Sequence, residues 1–215
     1  ALGWPGDWPG LVAHLAGLSR DGFLAALDAY TRKRVSGDIE HRRPCDRLAG
    51  AASPMKRIHP PTARMFYEGA TRLHRSGVNV RPNRPTADAR VALETYPALI
   101  ARRFLGRVSY KAEGPHGADP ARRDARRRVL DGLAGRRPML DGRRWAEVYG
   151  FALHLAPGIA DAALHDGTGD TLDALSCACE AAWGHTHRRD HYGIPAWCDP
   201  LEGWIVSPGM PHEPW

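Results

Sequence analysis

The chain has 215 residues, 43% of them hydrophobic and 25% charged, with a formal net charge of +6. That is long enough to bury a core and too apolar for a disordered segment. No apolar run approaches the ~20 residues that span a bilayer, and no charged-then-apolar segment opens the chain as a secretion signal would. Because the sequence starts at Ala1 rather than at a methionine, residues upstream are expected.

The first third reads as helix. Phe23, Leu24, Leu27 and Tyr30 recur at helical spacing after a cap at Ser19. Residues 32–57 are polar, basic and broken by Gly and Pro, which predicts a loop with one short helix around Asp46–Ala52. Thr62 then caps a helix with Met65, Phe66, Ala70 and Leu73 on one face, stopped at Gly77. Strand signals follow at Val78–Arg81 and, more strongly, at Arg90–Thr95, where Val91 and Leu93 alternate with Ala92 and Glu94. Pro97 begins a helix through Phe104 that Gly106 ends. Asp119–Pro120 opens a basic helix to about Leu133, and Arg143–Leu155 predicts another. Gly169–Trp183 has an apolar stripe of Leu172, Leu175, Cys179 and Ala182/Trp183. Gly203–Val206 is a last strand candidate. Two or three strands are too few to seat these helices, so the strands that nucleate the sheet are expected before Ala1.

Three carboxylates stand out. Glu94 sits in a half-buried strand, near the carboxyl end where open α/β sheets bind ligands. A carboxylate there is costly unless paired, hydrogen-bonded or on a metal; the plainer alternatives are a face pointing to solvent or an ion pair with one of the many arginines. Asp170 and Asp173 lie three apart on one helix face, placed to lean on a common cation; taken alone, they are explained more simply by capping and the helix dipole. Arg122, Arg123, Arg126, Arg127 and Arg128 cover much of one helix, either as a solvated face or as phosphate contacts. His185, His187, His191 and Cys198 lack the pairing of a zinc site. Cys177 and Cys179 point to different sides of a helix, and four irregular cysteines make no disulfide framework, which points to a reducing cytoplasm. No serine-nucleophile elbow, phosphate loop or dinucleotide fingerprint is present.

The ordered set Arg43-Pro-Cys-Asp46, Ser53-Pro-Met-Lys56, Leu93-Glu-Thr-Tyr-Pro-Ala, Ser109-Tyr-Lys, Gly169-Asp-Thr-Leu-Asp-Ala-Leu-Ser-Cys-Ala and Glu202-Gly-Trp-Ile-Val resembles the family catalogued as domain of unknown function 429 over roughly residues 40–207. The resemblance implies an α/β, ribonuclease H-like mixed sheet flanked by helices, lacking its first strands, and a nuclease. Residues 1–215 would form a single domain, with 1–60 as a helical and loop insertion and 61–215 as the core. It implies a metal site at Glu94 and Asp173, with Asp170 as helper, holding Mg²⁺ or Mn²⁺ for two-metal hydrolysis of phosphodiesters. Lys111, Arg122, Arg123 and Arg126 would hold the nucleic-acid backbone. Two alternatives are a catalytically inactive nucleic-acid- or nucleotide-binding module and a partner protein whose Trp183, Trp197 and Trp204 form an interaction surface. A cytoplasmic location and no membrane partner complete the expectation.

Overall fold

The structure is a computed structural model that describes residues 2–34 and 40–211; positions 35–39 of the expected loop lie outside the described residues. The chain divides into two compact units. The first comprises the residues up to Glu94, Ile194–Ile205 and Met210 onward; the second comprises Thr95–Gly193 and Val206–Gly209.

In the first unit, Asp7 accepts from Gly10 N at 2.8 Å and starts α1, Trp8–Gly17. Ser19 accepts from Gly22 N at 3.0 Å and starts α2, Arg20–Arg32, as the sequence predicts. A short α3 covers Pro44–Ala49, and α4 covers Thr62–Ser76. Thr62 is the first residue of α4 rather than its cap, and Met65 and Leu73 point outward, 65% and 37% exposed. The packed face is instead Ala63, Phe66, Tyr67 and Ala70, also at helical spacing. Its small alanines let the helix sit closely against α1 and α2. Two clusters of buried residues pack in this unit, one with Leu15, Phe23, Leu24, Leu27 and Ala63, another with Trp8, Val12, Ala70, Val78 and Val80.

Strands β1, Asn79–Arg81, and β2, Val91–Leu93, pair in parallel. Glu94 continues β2 by a single parallel bridge to Ile205, all that the Gly203–Val206 candidate contributes. The α/β ribonuclease H-like sheet is therefore corrected: the described residues are 51% helix and 4% strand, and among them the strands form one two-stranded parallel sheet. Both strand signals are in place but short. Helices bury their apolar faces mainly on other helices rather than on a sheet.

In the second unit, α5 spans Ala98–Leu105 and is stopped by Gly106 at φ 62. Asp119 caps α6, Pro120–Leu133, by accepting from Ala121 N at 2.9 Å. The helix expected over Arg143–Leu155 is only α7, Trp145–Tyr149, because Gly150 turns left-handed at φ 77. An unforeseen α8 spans Pro157–His165, and α9 spans Asp170–Thr186. No helix among the described residues is long and apolar enough to cross a membrane.

The α5–α6 contact is set by Gly132, where an added Cβ would run into the Phe104 ring. Gly132→Ala should therefore destabilise the protein by about 1–3 kcal/mol despite alanine's better helix propensity. Chemical denaturation measures it.

Candidate functional site: two ion-paired carboxylate corners

Glu94 ends β2 in the first unit, and its partner is Arg43, the residue that precedes α3. Arg43 Nη1 donates to Glu94 Oε2 at 2.8 Å and to the Glu202 carbonyl at 2.9 Å. Nη2 donates to Glu94 Oε1 at 2.5 Å and to Asp46 Oδ1 at 2.7 Å, and Nε donates to Asp46 Oδ2 at 3.0 Å. The Arg43 backbone N–H adds a bond to Asp46 Oδ2 at 3.0 Å, which fixes the start of α3. Asp46 is fully buried, and the Glu94 side chain is 39% exposed. Burial works against the Arg43 charge, but the bonds to Glu94 and Asp46 outweigh it and hold the guanidinium far above its ordinary value. Burial likewise pushes the Cys45 thiol up to about 12 and the Cys198 thiol up to about 11, so neither is a thiolate nucleophile at neutral pH.

Asp173 belongs to the second unit, on the first turns of α9. Tyr110 Oη donates to its Oδ1 at 2.5 Å and Lys111 Nζ to its Oδ2. The segments Ser109–Lys111 and Asp170–Asp173, some 60 residues apart, thus meet. Burial, followed by the Asp173 carboxylate, raises the Tyr110 hydroxyl far above its usual range. Asp170 is the first helical residue and exposed; the N-cap is Gly169, at φ 77, so the capping role expected of Asp170 shifts by one position. Glu94 and Asp173 each find their partners inside their own unit.

The implied Mg²⁺ or Mn²⁺ does not fit these residues as they stand. Both oxygens of Glu94 and both of Asp173 already receive hydrogen bonds, from Arg43 and from Tyr110 and Lys111. Among the described residues no group of three or more His, Cys, Asp or Glu could hold an ion. His187 is engaged within its own turn, Nδ1 on the Trp183 carbonyl at 2.9 Å.

The basic helix α6 separates by depth. Arg126 is 1% exposed and donates to the carbonyls of Leu164 at 2.9 Å, Tyr110 at 2.8 Å and Gly117 at 3.2 Å. It is a strut inside the unit and does not face a phosphate, which corrects its expected role. Arg122 bonds Asp119 at 3.0 Å; Arg123 and Arg127, one turn apart, are both exposed, with Arg123 Nη2 2.7 Å from His165 Nε2. Trp183 and Trp204 are 7% and 1% exposed, so the tryptophan interaction surface is corrected as well.

Sequence reasoning passed over Glu180, which lies four residues beyond Ser176 and eight beyond Leu172 on the buried stripe of α9. It is 0% exposed; Oε1 accepts from Tyr149 Oη at 3.1 Å and Ser207 Oγ at 2.9 Å, and Oε2 has no partner among the described residues. Burial pushes the carboxyl up to about 7, although Ser207, Tyr149 and the Arg103 charge hold it back.

No known protein family, curated protein or solved structure matches the chain.

Two predictions follow from burial. Glu180 is an acid whose folded value lies above its ordinary 4.5. Its contribution is fully present below about pH 4.5 and is lost as pH rises through about 7, a change of up to about 3 kcal/mol. Glu180→Gln should flatten that fall in denaturation curves taken from pH 4 to 8. Arg126→Ala, which strands three carbonyls, should cost about 3 kcal/mol, whereas Arg123→Ala should stay within about 0.5 kcal/mol of the parent.

Proposed function

We propose that the chain is a nucleic-acid-binding module that holds a phosphate backbone without cutting it. The observation that carries this reading is in the second unit, where Asp173 is saturated by Lys111 and Tyr110 while Arg123 and Arg127 stand exposed one turn apart on α6. Arg126 anchors the segment carrying Lys111 to that same helix through the Tyr110 carbonyl. A neutralised carboxylate and exposed guanidinium groups in the same unit suit attraction of phosphate better than activation of water. The net charge of +6 supports the same class of partner.

A second reading, metal-dependent phosphodiester hydrolysis, is the one the family resemblance implies; against it, Arg43 holds both oxygens of Glu94, and Tyr110 with Lys111 hold both of Asp173. Fluorescence anisotropy with labelled single- and double-stranded DNA and RNA separates the readings. Binding should weaken steeply with salt and fall about tenfold in the double variant Arg123→Glu, Arg127→Glu, with no cleavage in Mn²⁺. Cleavage in Mn²⁺ that disappears in Glu94→Ala and Asp173→Ala would establish hydrolysis instead. Absence of salt-sensitive binding to every probe would overturn a nucleic-acid partner.

A further inference from the structure

We infer that Arg43 is the resident cation of the Asp46–Glu94 corner and keeps a divalent metal ion out of it. A guanidinium carries five N–H donors in a rigid fork. At Arg43 all five are used: Nε on Asp46, Nη1 on Glu94 and the Glu202 carbonyl, Nη2 on Glu94 and Asp46. Four of those five bonds reach the side-chain oxygens of the two carboxylates, one to each oxygen. Every donor of the guanidinium has an acceptor, and every carboxylate oxygen has at least one donor.

The matching explains why two carboxylates can converge here at all. Asp46 is 1% and Arg43 14% exposed at their side chains. A buried carboxylate beside a second one needs a cation, or one of the two must take up a proton. A hard ion such as Mn²⁺ would accept the same oxygens. It would have to displace a cation that is tethered to the chain at the start of α3, and so present at every moment. Mg²⁺ also sheds its water reluctantly, while a guanidinium is more weakly hydrated than an ammonium, and its bonds to Glu94 and Asp46 outweigh the cost of burying it. The corner therefore brings together two carboxylates whose shared cation is an arginine of the chain itself.

This inference goes beyond the proposed function and does not depend on it, because metal uptake is read with no nucleic acid present. The experiment titrates Mn²⁺ into the whole chain and follows bound ion by electron paramagnetic resonance, with thermal unfolding alongside. The parent protein should show no Mn²⁺ uptake that depends on Glu94. Arg43→Ala should melt roughly 10 °C lower and should acquire Mn²⁺ uptake, with a rise in Tm on adding the ion. The double variant Arg43→Ala, Glu94→Ala should lose both gains. Should Arg43→Ala fail to fold, Arg43→Met keeps the bulk of the stem and is read in the same way. Uptake of Mn²⁺ by the parent that Glu94→Ala abolishes would overturn the inference. So would a folded Arg43 variant that takes up no Mn²⁺, because Arg43 would then not be what keeps the ion out.

Discussion

The Asp46 carboxylate is out of contact with water, and the first unit is arranged around the cation that makes this tolerable. An uncompensated charge at that depth costs several kcal/mol. Arg43 meets the requirement from the residue that begins α3, and in doing so ties three separate pieces of chain together. Its backbone N–H and Nε fix the helix start, its terminal nitrogens hold Glu94 at the end of β2, and the remaining donor takes the Glu202 carbonyl. The lone parallel bridge between Glu94 and Ile205 lies beside this knot. With a sheet of only two short strands, side-chain bonds take over part of the work of joining distant segments.

The second unit follows the same logic with different groups. Arg126 spends its donors on three carbonyls and so links α6 to the ends of two loops and of α8. Lys111 and Tyr110 quench Asp173. Glu180 is the exception, a buried carboxyl with hydroxyl partners in place of a cation, which is why burial raises it rather than an ion pair lowering it. Much of the remaining arginine is matched by a near neighbour, as in Arg90–Asp88, Arg136–Asp131 and Arg143–Asp141. Such exposed pairs contribute little stability. They also reduce the outward positive field, leaving Arg123 and Arg127 as the clearer pair of outward cations on α6.

The local structure was largely legible in the sequence, and its larger arrangement was not. Ser19, Asp119, Gly77 and Gly106 mark helix ends because capping and left-handed turns depend on a few adjacent residues. The helix read across Arg143–Leu155 failed at Gly150, where one glycine in a left-handed turn outweighs several residues in phase. The sheet was overread because the strand signals carry no information about how many partners each strand will find. For Glu94 the plain reading of an ion pair with an arginine holds, yet only folding could say that the arginine is Arg43, 51 residues earlier. Glu180 was missed because a glutamate on a helix reads as solvated; its spacing from Leu172 and Ser176 was the available sign. Arg126 looked like its neighbours in a basic run and differs from them only by its depth.

A double-mutant cycle on Arg43 and Glu94 tests the central claim most directly. Unfolding free energies of the parent, Arg43→Ala, Glu94→Ala and the double variant give the coupling between the two side chains. A structural ion pair matched at two oxygens predicts a coupling of about 1–2 kcal/mol, above what an ordinary exposed pair supplies. Additive effects, with a coupling near zero, would contradict the account and leave Glu94 without the partner on which it rests.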